Sequence, residues 1–431
     1  MSSCLWIRNG RVIDPANRRD AAGDVFVRDG ILVDALTDAE KAAATVVDAA
    51  GRVVAPGFVD LHAHLREPGG TARETIASGT RAAAAGGFTT VVCMPDTNPP
   101  ADNAGTVQLI KDIASRDAVV RVLPTGTITL GHKGEKLAPI GTLKKAGVVA
   151  VTDTNSGVSN NEIMRRSLEY AAMFDLVVCD HCQDSSMTDG AQMHEGALAL
   201  RLGLRGWPRA AEDVVAASDC TLSQLSGARI HLQHLSSAGA VDIVRRAKAS
   251  GVRVTAEVSP QHLLLTDAAC ATYDTNAKLN PPLREESDRL ALIAGLLDGT
   301  LDAIASDHAP VSPTEKDCEF DYAPVGAVSL ETALAASLEA LVYGAGAPLA
   351  LLVEKLTVGP ARVLGLDAGT LTPGKPADLV VFDPAAAWTV DAAKFQSKSR
   401  NTPLNGRTLR GRVTHTVVGG RLVVSDGVVV A

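Results

Sequence analysis

Aromatic side chains are scarce in this chain of 431 residues: seven Phe, four Tyr and three Trp, 3% of the total. That scarcity argues against a stacking platform for single-stranded nucleic acid, which needs exposed rings along a groove. An excess of basic charge is missing as well. Lys and Arg total 41 against 49 Asp and Glu, a formal charge of −8, so no nucleic acid and no anionic membrane is expected as the main partner. The seven cysteines (Cys4, Cys93, Cys179, Cys182, Cys220, Cys270 and Cys318) are scattered, odd in number and mostly inside apolar runs. They form no disulfide framework and read as small buried hydrophobes of a reducing compartment. Cys179 and Cys182 have CxxC spacing, yet no second pair completes a zinc site. The most apolar stretch, 333–353, is interrupted by Glu339, Gly344, Gly346 and Pro348, which disqualifies it as a membrane span. The start, Met1-Ser2-Ser3-Cys4-Leu5-Trp6, lacks the charged and apolar regions of a secretory leader, so the expected location is cytoplasmic.

What is present is apolar content, 46% hydrophobic, in a length suited to one barrel-sized domain plus an accessory one. Both ends carry short strand patterns. Residues 5–8 and 11–14 flank Asn9-Gly10, and 25–28 and 31–33 flank Asp29-Gly30. Near the other end, 413–418 and 421–425 flank Gly419-Gly420, and a further strand lies at 378–383. Asn-Gly and Asp-Gly suit type I′ hairpin turns, whose two central residues both need positive φ. The two ends are expected to pair into one small β-domain, residues 1–55 with 366–431, because two separate modules would each have a very small core. Between them strands at 57–61, 89–94, 119–124, 148–152, 176–180, 229–233, 253–257 and 301–306 alternate with helical patterns. The patterns at 73–85, 160–174, 211–225, 238–250 and 285–297 are clear, and the third crossover, around 131–145, is the weakest. Eight apolar strands alternating with helices predict a closed (β/α)₈ barrel over 56–365, an α/β fold. An open doubly wound sheet is the alternative, but no phosphate-binding fingerprint follows the first strand.

On this register the chemistry falls at strand C-terminal ends, where barrel active sites form. His62 and His64 close the first strand in Val59-Asp60-Leu61-His62-Ala63-His64, His181 ends the fifth, His234 the sixth and Asp307 the eighth. Alternate strand residues share a face, so His62 and His64 can point the same way. A lone histidine at such a place is usually structural. Four of them with a carboxylate at matching ends make a divalent metal site of the Zn²⁺ type the better reading. His132, His194, His231, His262, His308 and His415 are read as structural or supporting.

Residues 56–69, Pro-Gly-Phe-Val-Asp-Leu-His-Ala-His-Leu-Arg-Glu-Pro-Gly, resemble the signature of dihydroorotases in the cyclic amidohydrolase superfamily. The resemblance extends to Gly87-Phe88-Thr89-Thr90, Cys93-Met94-Pro95, Asp180-His181-Cys182-Gln183-Asp184 and Gln233-His234-Leu235-Ser236-Ser237. It continues through Asn280-Pro281-Pro282-Leu283-Arg284, Ser306-Asp307-His308-Ala309-Pro310 and Gly374-Lys375-Pro376-Ala377-Asp378-Leu379. It is closest to bacterial members without the carbamylated lysine, since the fourth strand offers none. The resemblance implies a metal-bearing barrel with a composite β-sandwich. The implied reaction is reversible cyclisation of N-carbamoyl-L-aspartate to dihydroorotate in pyrimidine synthesis, with one or two Zn²⁺ ions. Implied metal ligands are His62, His64, Asp153, His181, His234 and Asp307, with Asp307 also the general base. Implied substrate contacts are Arg66, suited to a bidentate carboxylate bond, Asn280, Asp96, Val311 and Val325-Gly326. The last three positions belong to a segment, 311–326, expected to act as a mobile cover.

Three positions depart from the family pattern. Asp96 stands where these enzymes carry Asn, and a carboxylate there repels an anionic substrate. In the fourth strand, Thr152-Asp153-Thr154-Asn155 aligns Thr154 with the bridging ligand, and Asp153 reaches a metal only if the backbone shifts. Val311 replaces a substrate-contacting His. These changes leave two alternatives: a non-catalytic subunit associated with an aspartate carbamoyltransferase, or a hydrolase of another cyclic amide such as a hydantoin or allantoin. A homo-oligomer is expected in either case.

Overall fold

The structure is a computed structural model that describes residues 3–431, so the first two residues of the expected β-domain lie outside the described residues. Eight parallel strands build the barrel: Phe58–Ala63, Phe88–Cys93, Arg121–Pro124, Ala150–Thr152, Val177–Asp180, Ile230–Leu232, Val254–Val258 and Ala303–Ile304. The first three pair in order, as do the last five. Bridges between Gly126 and Val151 and between Ala63 and His308 join the two groups and close the ring. The strands are rich in apolar residues because they are covered on both sides, and every residue of Phe58–Ala63 and Phe88–Cys93 is buried, the polar Asp60, His62, Thr89 and Thr90 included. The expected helices appear at Ile76–Ala85, Asn161–Ala172, Ala210–Ser226, Ala238–Ala249 and Glu286–Leu297. The weak third crossover condenses to Ile140–Ala146, a short helix after a loop. Among the described residues no helix is long and apolar enough to cross a membrane.

The two ends share one nine-stranded sheet. Leu379–Thr389 pairs with Val53–Pro56 on one side and Thr408–Val418 on the other, and Cys4–Asp14 continues the sheet through Val53–Pro56. Two expected hairpins form: Arg28 pairs Ile31 across Asp29-Gly30, and Val418 pairs Arg421 across Gly419-Gly420, with positive φ at all four turn residues. The hairpin expected at Asn9-Gly10 does not form. Cys4–Asp14 is one continuous strand with a register shift between Ile7 and Gly10. Its first half lies beside Thr45–Asp48 and its second beside Val53–Pro56, so pairing on both halves favours a bulge over a reversal. A side chain on Gly10 would stand 2.5 Å from Val54 Cγ2, which keeps the bulge tight against the sheet.

Glu331 stands where barrel and β-domain meet. Its Oε1 accepts the N–H groups of Gln396 at 2.8 Å and Ser397 at 3.3 Å. Burial pushes its pKa up to about 8. The folded protein therefore binds this proton more tightly than the unfolded chain, and the stability it contributes is lost as pH rises from about 4.5 towards 8. Glu331→Gln keeps an acceptor without a charge. It should flatten the fall in stability between pH 5 and 8 and stabilise the protein by roughly 1–3 kcal/mol at pH 8. Denaturant titrations at both pH values check this, and an unchanged slope would assign the fall to other groups.

Candidate active site

The strand ends deliver their histidines to one buried centre. Successive ring centroids lie 5.1 Å apart for His62 and His64, 5.0 Å for His62 and His234, and 4.8 Å for His181 and His234. His62 Nε2 and His64 Nε2 face each other at 3.2 Å, and Asp307 Oδ1 stands 3.9 Å from His62 Nε2. Ligand atoms of His62, His64 and Asp307 all lie within 4.8 Å of one another, and all three residues are buried. Two imidazoles and a carboxylate make a donor set that could hold a divalent metal ion. His181 and His234 present a second face, Nδ1 to Nε2 at 3.1 Å. The His181 Nε2–H donates to Gln183 Oε1 at 2.8 Å, which leaves Nδ1 free to ligate.

Carboxylates behind the rings set which nitrogen looks inward. The His64 Nδ1–H donates to Asp96 Oδ1 at 2.8 Å. His62 Nδ1 lies 3.5 Å from Glu257 Oε1, and Glu257 Oε2 accepts from His231 Nε2 at 3.1 Å. Such partners fix the tautomer and ring angle of a metal-binding histidine. The electrostatics follow. Burial alone disfavours a charged His62 ring, but Glu257, Asp307 and Asp60 outweigh it and hold its pKa above the usual value. Burial lowers His64 and His181 to about 4 and pushes His234 well down, so these rings are neutral donors at physiological pH. Burial raises the Asp307 carboxyl to about 7 despite the pull of His62. Asp60 ties the first strand to the eighth, accepting from Ser306 N and Oγ, both at 2.6 Å. Arg66, His234 and Asp307 all have positive φ, 58°, 32° and 50°. Each costs of order 1–3 kcal/mol, strain that concentrates at sites held in place by their surroundings.

Glu257, His231 and Asn155 carry no assigned site role in the sequence reading. The signal for Glu257 was a single carboxylate in the inward-facing run Val254–Val258, where a lone charge needs a partner.

The chain matches the dihydro-orotase-like family over residues 51–240 and the amidohydrolase family over 236–424. It is 50% identical over 426 residues to a dihydroorotase of Pelotomaculum thermopropionicum, covering 99% of both chains. It is 51% identical over 430 residues to one of Anaeromyxobacter dehalogenans, again covering 99% of both. The chain belongs to the dihydroorotase family. Among solved structures, the L-hydantoinase (dihydropyrimidinase) of Arthrobacter aurescens superposes with a TM-score of 0.88 at 24% identity, over 100% of this chain and 98% of that one. At that identity the likeness speaks for the shared fold alone: a barrel with a β-sandwich built from both termini.

For this dihydroorotase-family chain, one position read from sequence as a metal ligand is corrected. Asp153 Oδ1 accepts the N–H groups of Ile128 at 2.8 Å and Thr129 at 3.1 Å, and Oδ2 accepts from the Thr129 hydroxyl. That carboxylate is spent on the third crossover. Its neighbour Thr154 takes the inward place, with Oγ1 3.3 Å from His62 Nε2. Of the substrate-side positions, Arg66 joins Asp96 through Nη1 at 2.6 Å. Asn280 donates to Asn155 O at 3.3 Å and keeps a buried Oδ1 without a partner. Val311 is buried, with its N–H on Asn401 Oδ1, and Gly326 donates to Lys278 O at 3.0 Å, while Val325 is partly exposed. The expected cover is anchored at several points. Lys316 Nζ donates to Thr275 O and Pro324 O, Lys278 Nζ to Phe320 O and Asp321 O, and Glu315 pairs with Arg73.

Proposed function

We propose that this protein is a zinc-dependent dihydroorotase of pyrimidine biosynthesis, interconverting N-carbamoyl-L-aspartate and dihydroorotate in the cytoplasm as a homo-oligomer. The barrel of residues 56–365 carries the reaction, and 1–55 with 366–431 form the β-domain. The observation that supports this most is the convergence of His62, His64 and Asp307 at the barrel mouth, beside Arg66. The donor set fits a divalent ion of the zinc class: two imidazoles with carboxylates behind them, and a buried carboxyl group. When bound, such an ion supplies Lewis acidity to the ring carbonyl and a water whose pKa falls to roughly 7.

In the hydrolytic direction the ring C–N bond breaks and the carbonyl carbon gains the water oxygen. With such an ion in place, Asp307 would take the proton released by the attacking water and return it to the leaving ring nitrogen, so it would end each turnover as it began. Arg66 pairs with the substrate carboxylate, and Asn280 holds the ring through the amide whose Oδ1 lacks a partner. The second half of the site, His181 and His234, has Thr154 where a bridging carboxylate would stand. A hydroxyl there brings no charge to a second cation, so His62, His64 and Asp307 would hold one ion tightly, and His181 with His234 would hold a second only weakly.

Metal analysis with a dihydroorotate assay tests the whole reading. Dialysed protein should hold one zinc per chain and hydrolyse dihydroorotate, and Thr154→Asp should raise retention towards two. Absence of turnover in metal-replete protein, alone and with an aspartate carbamoyltransferase, would refute the assignment. Turnover of a hydantoin or allantoin in its place would assign another cyclic amide as the substrate.

A further inference from the structure

Asp96 follows the second barrel strand, and its side chain is only 13% exposed. Three groups from two other segments share its two oxygens. Oδ1 accepts from His64 Nδ1 at 2.8 Å, and Oδ2 accepts from Arg66 Nη1 at 2.6 Å and Asn155 Nδ2 at 3.0 Å. His64 and Arg66 follow the first strand and Asn155 follows the fourth, so one carboxylate ties three edges of the mouth together. Two consequences follow from the donor geometry. With Nδ1–H committed to Asp96, His64 keeps its Nε2 lone pair for the centre it shares with His62. On Arg66, Asp96 occupies Nη1 and leaves the Nε–H buried with no partner. That Nε belongs to the edge through which an arginine grips a carboxylate with two parallel bonds. Arg66 and Asp96 both line a cavity of about 440 Å³ with Asn98 and Ser312.

We propose that Asp96 is a positioning residue that raises metal affinity at the expense of substrate affinity. It fixes the ligating tautomer of His64, and its charge offsets that of Arg66 where an anionic substrate must dock. The substrate half rests on the dihydroorotase reading above, while the metal half does not.

Asp96→Asn and Asp96→Ala in the full chain separate the two effects. The Asn Oδ1 still accepts from His64 but carries no charge, whereas Ala removes both. Zinc affinity, read by chelator competition on metal-free protein, should fall less than about fivefold in Asp96→Asn and about 10- to 100-fold in Asp96→Ala. With zinc saturating, the KM for dihydroorotate should fall about three- to tenfold in Asp96→Asn, as expected when a buried like charge near the substrate is removed. Unchanged zinc affinity in Asp96→Ala overturns the metal half, and a KM that stays or rises in Asp96→Asn overturns the substrate half. If the wild-type protein does not turn over dihydroorotate, the functional reading falls, and the chelator measurement still decides the role of Asp96 at His64.

Discussion

Asp307→Asn should lower kcat for dihydroorotate hydrolysis by about 10³-fold, within the range for removing a general acid–base group. The side chain ends the last barrel strand on a residue whose φ is 50°, a backbone that aims it inward at the cost of strain. It stands 3.9 Å from His62 Nε2, and burial raises its pKa to about 7. Asparagine is nearly isosteric and still offers an oxygen to a metal, but it takes up no proton. The variant should therefore fold normally, retain zinc at high concentration and lose turnover. Zinc content, melting and kcat measured on one preparation distinguish this from simple loss of a ligand. Recovery of full activity with excess zinc would show that Asp307 serves only to hold the ion.

The parts of this fold legible in the sequence are those where one physical constraint dominates. Strands covered on both faces must be apolar throughout, so residues 89–94 announced Phe88–Cys93 to within one position at each end. The period of two in a strand placed His62 and His64 on one side, and their Nε2 atoms meet at 3.2 Å. Where two constraints compete, local signals mislead. Asn9-Gly10 has the composition of a turn, and Asn9 does have a φ of 63°, but the strand pairs along both halves and the dipeptide becomes a bulge. Asp153 was assigned to the metal because it is the acid in the run 152–155. Backbone N–H groups of the third crossover claim it first, and nothing in the residues before it signals those donors. Asp96 was legible as a departure but not in its effect. Its partners His64, Arg66 and Asn155 lie between 30 and 59 positions away, and only closure of the barrel brings them together.

Removal of the carboxylate at position 257 should have a comparably large effect, on stability and metal binding before activity. Glu257 is fully buried near the end of the seventh strand, between His62 and His231. Burial opposes its ionisation, yet the two imidazoles draw its pKa down to about 2, so it remains an anion across the working range. His231 is anchored in turn by Thr255 Oγ1 at 2.9 Å, which makes the carboxylate the middle of a relay running from the strand to the metal ligand. Glu257→Ala leaves the His231 Nε2 group buried without its acceptor and removes the carboxylate that stands 3.5 Å from His62 Nδ1. Breaking a buried ionic pair in this way costs about 3–5 kcal/mol. It also frees His62 to rotate or change tautomer, which should weaken zinc about 10- to 100-fold. Glu257→Gln retains one acceptor oxygen and should keep much of the stability while still losing zinc affinity, because the charge that favours a His62 Nδ1–H is gone. Denaturant midpoints of the metal-free protein isolate the stability effect, and chelator competition isolates the binding effect. If Glu257→Ala unfolds at the wild-type midpoint and holds zinc as tightly, the relay does not orient His62, and the ring must be fixed by the packing of His64 and His234 against it.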